Sequence, residues 1–270
     1  MSLLVVVLGV FIGAIMGLTG AGGGILAVPV LVAGMHWTMQ QAAPVALIAV
    51  ASGAAVGAMD GFRHGLVRYK AAILMAMCGV PVTRIGQSWA HVLPQFILLG
   101  GFAALMLVVS WRFYQQSKLG GTQNEEDALR LAFIHEQTGK FVWTPVAALI
   151  LASIGALTGL MTGLLGVGGG FLIVPLMRRF THLALHGIVA TSLFVITLVG
   201  SGGVINAVLA GAEIPWVETS SFVAAMVAGM LAGRRVSRQL KSWQVQRGFA
   251  ALLACVSVYM FVKAYLNFNG

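Results

Sequence analysis

The amino-acid sequence predicts an all-α membrane protein with many membrane-spanning helices. Of its 270 residues, 59% are hydrophobic and only 9% are charged, whereas soluble domains carry roughly 25% charged residues. Long apolar runs, such as residues 1–35 and 187–212, lack the alternation of apolar and polar residues that a barrel strand would show. The composition therefore excludes a water-soluble domain, and the pattern favours a helical bundle over a β-barrel.

The chain contains an internal repeat with an offset of 146 residues. The segment GLTGAGGGILAVPVL at residues 17–31 returns as GLLGVGGGFLIVPLM at residues 163–177. At the same offset Leu47 matches Leu193, Gly57 matches Gly203, and Asp60 matches Asn206. Matches at both ends of the repeat indicate that the two halves share one fold.

Each half begins with a long glycine-interrupted apolar stretch, at residues 3–34 and 143–177, and continues with three further apolar segments. We place these at residues 42–59, 70–90 and 94–111 in the first half and at 187–210, 219–233 and 247–266 in the second. The predicted units are a first repeat at 1–111, a linker at 112–141 and a second repeat at 142–270. The linker is the longest hydrophilic stretch, and three acids after Asn124 allow either a solvated connection or a short amphipathic surface helix.

The distribution of lysine and arginine distinguishes two topologies. If each long stretch crosses the membrane once, the repeats are parallel and the 16 Lys and Arg divide equally between the two sides. If each stretch turns back, the repeats are inverted. All Lys and Arg residues then lie on one side of the membrane except Arg84 and Lys263, which lie on the other. Cytoplasmic loops are enriched in these residues, so we predict inverted repeats, a cytoplasmic linker and both termini outside. Each turning stretch is then a glycine-broken or re-entrant hairpin. Two tilted helices that each cross the membrane would also bring the chain back to the same side.

Three consecutive glycines interrupt each hairpin and form the strongest candidate site. Backbone groups left unpaired inside a membrane cost several kcal/mol, and glycines permit a concave nest of N–H groups that would suit an anion. A proline follows five residues later in each half and frees another carbonyl. We therefore predict an anion site at the membrane midplane, lined by Gly20, Gly22, Gly23, Gly24, Pro29, Gly166, Gly168, Gly169, Gly170 and Pro175.

Several polar residues could support this site. Thr19 and Thr162 flank the glycine turns, and Thr191 and Ser192 lie in an uncharged segment where they would serve either the anion or backbone hydrogen bonds. Asp60 and Asn206 occupy matched positions at segment ends, as solvated residues or as gating and coupling groups. The glycines at positions 9, 13 and 17, and at 155, 159 and 163, are spaced as helix-packing ridges.

The repeated pattern G-x-x-G-x-G-G-G-x-L-x-V-P resembles the sulfite exporter TauE/SafE family of bacterial membrane transporters. The resemblance covers nearly all of the chain apart from the linker. It implies a multi-pass protein of the bacterial plasma (inner) membrane that moves small sulfur-containing anions such as sulfite, thiosulfate or organosulfonates.

Other classes of function find less support in the sequence. The basic residues lie in short loops where anionic lipid accounts for them, so we expect membrane lipid and no nucleic acid as a partner. The sequence has no catalytic signature, no metal-ligand spacing and no ATP-binding loop, and we therefore expect no enzyme activity, metal or cofactor. An anion channel, a transporter of another small organic anion, and assembly into a homo-oligomer all stay open.

Overall fold

The computed structural model of the protein describes residues 2–118, 144–181, 183, 185–237, 240 and 242–269. These residues form ten α-helices, five in each half. In the first half they are α1 (Ser2–Thr19), α2 (Ala27–Gly34), α3 (Met39–Arg63), α4 (Tyr69–Val92) and α5 (Gln95–Lys118). In the second half they are α6 (Pro145–Leu165), α7 (Gly170–Phe180), α8 (Leu185–Leu209), α9 (Trp216–Ser237) and α10 (Ser242–Asn269). The predicted all-helical class is confirmed for this part of the chain.

Threonine caps begin two of these helices. The Thr38 side chain accepts from the backbone N–H of Gln41, and the Gln41 side chain accepts from the backbone N–H of Thr38, which makes a capping box before α3. Thr144 caps α6 in the same way through the N–H of Ala147, and Pro145 follows at the first helical position. These local signals set where the chain re-enters a helix after an irregular segment.

Both long stretches are broken by glycine, as predicted. A 3₁₀ segment, Gly20–Leu26, separates α1 from α2, and the left-handed Gly166 ends α6 shortly before α7. α2 has eight residues and α7 has eleven. At about 1.5 Å per residue, neither helix reaches across a bilayer core of about 30 Å.

The hairpin in the first half is closed by contacts along its two legs. Gly34 lies against the Leu8 side chain, and Gly23 lies against the backbone of Met16. The order of these contacts shows that α2 runs back alongside α1.

Six helices within the described residues are long and apolar enough to span a membrane. They are Met39–Arg63, Gln95–Gln115, Pro145–Leu165, Leu185–Leu209, Trp216–Ser237 and Trp243–Asn267. α4, which we predicted as a crossing segment, has 24 residues but is not among the six. Its mean hydropathy is lowered by polar residues, of which Arg84, Gln87 and Ser88 face a cavity.

Two tightly packed helix pairs each join one helix from the first half to one from the second. α1 packs on α9, where Gly9 meets Ala225, Gly13 meets Met226 and Gly17 meets Met230, so these two helices are parallel. α4 packs on α6 through the corresponding glycines, which lie directly against the neighbouring backbone; they are Gly79, Gly86, Gly155, Gly159 and Gly163. The glycine ladders are therefore packing surfaces, because a Cβ at these positions would collide with the partner helix.

The matching helices α3 and α8 pack against each other at the centre of the bundle. Gly57 meets Leu193 and Gly200 meets Ala51, so these two helices are antiparallel. α5 and α10 are antiparallel as well, since Ser110 Oγ donates to the carbonyl of Ala250 at 2.7 Å and Ser257 Oγ to that of Ala103 at 2.8 Å. In both pairs, equivalent helices of the two halves therefore pack against each other and run antiparallel.

The predicted linker begins inside a helix, because α5 continues to Lys118. Residues 119–143, where the sequence allowed an amphipathic helix, lie outside the described residues.

Candidate functional site: two cavities at the glycine turns

The larger cavity has a volume of about 730 Å³ and begins at the first glycine turn. Gly20 and Gly22 line it from one half, and Gly170 and Phe171, at the first turn of α7, line it from the other. The remaining wall is formed by parts of α1, α3, α5, α7, α8, α9 and α10 and is mostly apolar. α7 lines the cavity from its first turn at Gly170 to Arg178 and Arg179 near its end, so the cavity runs along this helix.

Positive charge dominates this cavity. Four arginines line it, together with two histidines and one carboxylate; they are Arg112, Arg178, Arg179, Arg234, His64, His186 and Asp60. Among the described lining residues, four guanidinium groups against one carboxylate leave a net charge of +3 before the histidines are counted. Such a surface favours an anion and can hold a planar or tetrahedral oxyanion through several charged donors.

The carboxylate of Asp60 is held by an ion pair. Asp60 Oδ2 lies 2.9 Å from the guanidinium of Arg234. His64, one helical turn along α3, places Nδ1 3.6 Å from Asp60 Oδ1 and 2.8 Å from the Asp60 carbonyl oxygen. The pair joins the end of α3 to the end of α9.

A smaller cavity of about 270 Å³ has a lining that includes the second glycine turn at Gly166. Its lining residues are separated by the repeat offset from those of the larger cavity. The equivalent pairs, larger cavity first, are Met16 and Thr162, Gly17 and Gly163, Gly20 and Gly166, Asp60 and Asn206, His186 and Gln40, Met230 and Arg84, and Arg234 and Ser88. The described lining of the smaller cavity has one arginine, Arg84, where the described lining of the larger cavity has four.

The two glycine turns approach each other between the cavities. Gly24 packs on Val50 of α3, and Gly168 packs on both Val50 and Ile196 of α8. Val50 and Ile196 are themselves equivalent under the repeat offset. The turns therefore meet beside the centre of the α3 and α8 pair.

The backbone conformations of the two turns differ, which corrects one expectation. In the second turn Gly166, Gly168 and Gly169 have φ of 69°, 71° and 63°, as a nest of backbone N–H groups allows. In the first turn only Gly20 is left-handed, with φ 76°, and the consecutive glycines form part of the 3₁₀ segment. The positive φ expected of a nest is therefore absent from the three consecutive glycines of the first half and present at two of the three in the second half.

The predicted site residues are distributed over three environments. Those on the larger cavity are Thr19, Gly20, Gly22, Asp60, Gly170 and Pro175. Those on the smaller cavity are Thr162, Gly166 and Asn206. Those on neither cavity are Gly23, Gly24, Pro29, Gly168, Gly169, Thr191 and Ser192. The two glycine turns thus lie close together, but the predicted site residues do not line one shared cavity.

The hydroxyl groups proposed as anion donors already donate to carbonyls or accept from the backbone. Thr19 Oγ1 donates to Ile15 and Thr162 Oγ1 to Thr158, each at 2.8 Å. Ser192 Oγ donates to Val189 at 2.8 Å, and Thr191 Oγ1 accepts the backbone N–H of Arg68 at 3.0 Å. Thr191 and Ser192 are fully buried, which fits the alternative of backbone hydrogen bonding.

The charged lining of the larger cavity was missed by our site prediction. We assigned its arginines to cytoplasmic loops, and their role at the cavity requires a position in three dimensions that the charge count does not supply. One signal was present: Arg178 and Arg179 directly follow the second glycine motif, at the end of the short helix α7.

Comparison with known proteins agrees with this architecture. The model of the family "Sulfite exporter TauE/SafE" matches residues 5–260. "Probable membrane transporter protein YunE" of Bacillus subtilis (strain 168) is 23% identical over 266 residues, which cover 95% of this chain and 97% of that protein. A "Probable membrane transporter protein" of Xylella fastidiosa (strain Temecula1 / ATCC 700964) is 24% identical over 265 residues, covering 96% of this chain and 94% of that protein. No solved structure matches the chain. With a multi-helical fold and a family match over most of its length, the chain belongs to the sulfite exporter TauE/SafE family of membrane transporters.

Proposed function

We propose that the protein is a secondary transporter that moves small sulfur-containing anions, such as sulfite, thiosulfate or organosulfonates, across the bacterial plasma (inner) membrane. One observation carries this proposal: four arginines and the first turn of α7 converge on one apolar-walled cavity beside the glycine turns. A sulfonate or sulfite group offers several oxygens to charged donors, and a short organic body fits the apolar wall.

The two halves are inverted repeats in this proposal, with both termini outside. The antiparallel packing of the equivalent helices α3 and α8, and of α5 and α10, supports inversion. α2 and α7 are then the returning legs of re-entrant hairpins. The arginines of the larger cavity belong to the cation-rich face, so this cavity opens towards the cytoplasm.

Two separate cavities support a carrier over a channel. They are equivalent under the repeat offset, they differ in volume by more than twofold, and packed glycine turns lie between them. In a carrier, each half can adopt the conformation that the other half now has. This change would enlarge the smaller cavity and close the larger one. A channel needs one continuous pore.

Anion binding to the purified protein tests the site. Sulfite, thiosulfate and sulfoacetate are titrated at constant ionic strength into wild type, Arg178→Gln and the control Arg235→Gln. Arg178 lines the cavity, whereas its control follows Arg234 on α9, is exposed and is not on the cavity wall. We expect loss of the Arg178 charge to weaken binding about tenfold or more, because charged hydrogen bonds contribute about 1.5 to 3 kcal/mol. Equal weakening by both variants would mean that the cavity is not the binding site.

Counterflow in liposomes distinguishes carrier from channel. Vesicles loaded with unlabelled anion are diluted into labelled anion, and a carrier accumulates the label transiently above its external concentration. A channel only equilibrates it, and that result would replace the proposed carrier with the alternative.

A further inference from the structure

Asp60 is an unexpected residue in a cavity that binds anions. Of the seven acidic residues, four lie in the predicted linker at 112–141 and two, Glu213 and Glu218, follow α8. Among the described residues, Asp60 is the one carboxylate on the wall of the larger cavity. It also lies in the last turn of α3, where the negative end of the helix dipole disfavours a carboxylate. The ion pair with Arg234 offsets this cost, so it is this guanidinium that holds the acid in place.

The ion pair of Asp60 with Arg234 crosses a boundary between helix pairs. Arg234 belongs to α9, which is locked to α1 by tight glycine packing, and Asp60 belongs to α3, which packs on α8. The Asp60 side chain is 42% exposed and the Arg234 side chain is 35% exposed, so a solute in the cavity can reach both. Ion pairs of this exposure are weak, and a dissolved anion can compete for the guanidinium.

The equivalent link on the other side of the protein carries no charge. Asn206 and Ser88 replace the pair, and neither can form a salt bridge. There Gln87 Nε2 donates to the carbonyl of Gly203 at 2.8 Å and so joins α4 to α8. Within the described residues, the link that an anion can break by charge lies on the side of the arginine-lined cavity.

We propose that Asp60 is a built-in competitor of the transported anion for Arg234. In the empty cavity Asp60 holds the guanidinium and ties α3 to α9. An entering sulfur oxyanion, attracted also by Arg112, Arg178 and Arg179, takes Asp60's place at Arg234 and releases the tie between the two helix pairs. This inference rests on the proposed function, because it assigns a gating role within the same anion cavity.

The test measures thiosulfate affinity in four variants at constant ionic strength. Asp60→Asn keeps the shape of the side chain and removes the competitor, so thiosulfate should bind roughly threefold to tenfold tighter than in wild type. Glu213→Gln removes an exposed acid that does not line the cavity and should leave the affinity unchanged. Arg234→Gln should weaken binding. Adding Asp60→Asn to Arg234→Gln should change nothing further, because the contested guanidinium is gone.

Each result bears on a distinct claim. If Asp60→Asn binds as wild type or more weakly, Asp60 is not a competitor. If Asp60→Asn tightens binding by the same factor with and without Arg234, the acid acts through the general field of the cavity and the proposed exchange of partners is wrong. If the single Asp60 variant unfolds, comparison of Arg234→Gln with the double variant still decides, since any tightening between them contradicts the proposal. If wild type binds none of the anions tested, the proposed function fails first.

Discussion

Substitution of two adjacent glycines by alanine should have very different effects on stability. A Cβ built at Gly23 would lie 2.5 Å from the backbone nitrogen of Met16 and 2.9 Å from the carbonyl carbon of Ile15. A Cβ at Gly22 would lie 3.6 Å from the nearest ring atoms of Phe113 and Phe249, which is ordinary contact. Neither glycine has a positive φ, so backbone conformation does not distinguish them.

The magnitude follows from these distances. The Gly23→Ala methyl must move away from Met16 by about 1 Å to reach normal contact, which forces the 3₁₀ segment off α1, and overpacking of this kind costs about 1 to 3 kcal/mol. Gly22→Ala should change the free energy of unfolding by less than about 0.5 kcal/mol. Thermal unfolding of the purified variants, followed by tryptophan fluorescence and size-exclusion chromatography, measures the difference. Equal melting temperatures for the two variants would refute this account of the turn.

Three further predictions concern helix packing, a partly buried lysine and membrane topology. Gly159→Ala should lower the free energy of unfolding by about 1 to 3 kcal/mol, because its Cβ meets the α4 backbone. The control Gly100→Ala should leave stability unchanged, because nothing lies within 4 Å of its Cβ. Similar melting curves for the two variants would contradict the packing role of Gly159. Lys263→Met should lower the free energy of unfolding by about 1 to 3 kcal/mol, because Lys263 Nζ donates at 2.9 Å to the carbonyl of Val32 near the end of α2. Chemical unfolding that matches wild type would show that this carbonyl finds another partner. Single cysteines at Arg63 and Arg178, in a background without native cysteines, should both be labelled from the cytoplasm, and labelling from opposite sides would restore parallel repeats.

The helical framework was predictable because its signals are local or repeated. The Gly9, Gly13 and Gly17 ladder has the spacing of a packing ridge, and the structure places these glycines against the α9 backbone. The hairpin interruptions were equally clear, since a run of glycines cannot hold a regular helix. Partner choice was not predictable, because spacing tells which face packs tightly but not which helix covers it.

The site was predictable only as a region. The glycine turns do approach each other at Val50, yet nearly identical motifs adopt different backbones in the two halves. The predicted nest implies that Gly23→Val and Gly169→Val remove anion binding from a folded protein. The contacts of Gly23 with α1 and of Gly169 with Thr158 instead predict misfolding. These contacts arise from tertiary packing, which the motif alone does not encode.

The pairing of α1 with α9 also constrains how the chain can be made. Ribosomes deliver α1 to the membrane first, and its glycine-rich face finds its partner only after about 200 further residues have been synthesised. Until then that face must be shielded by lipid, by a temporary neighbour or by an insertion factor. Maturation is therefore delayed until translation is nearly complete, and the first half expressed alone would lack the partner for its opening helix. Its degradation in cells, and its rescue by the second half supplied as a separate chain, would be the observable signs of this late assembly.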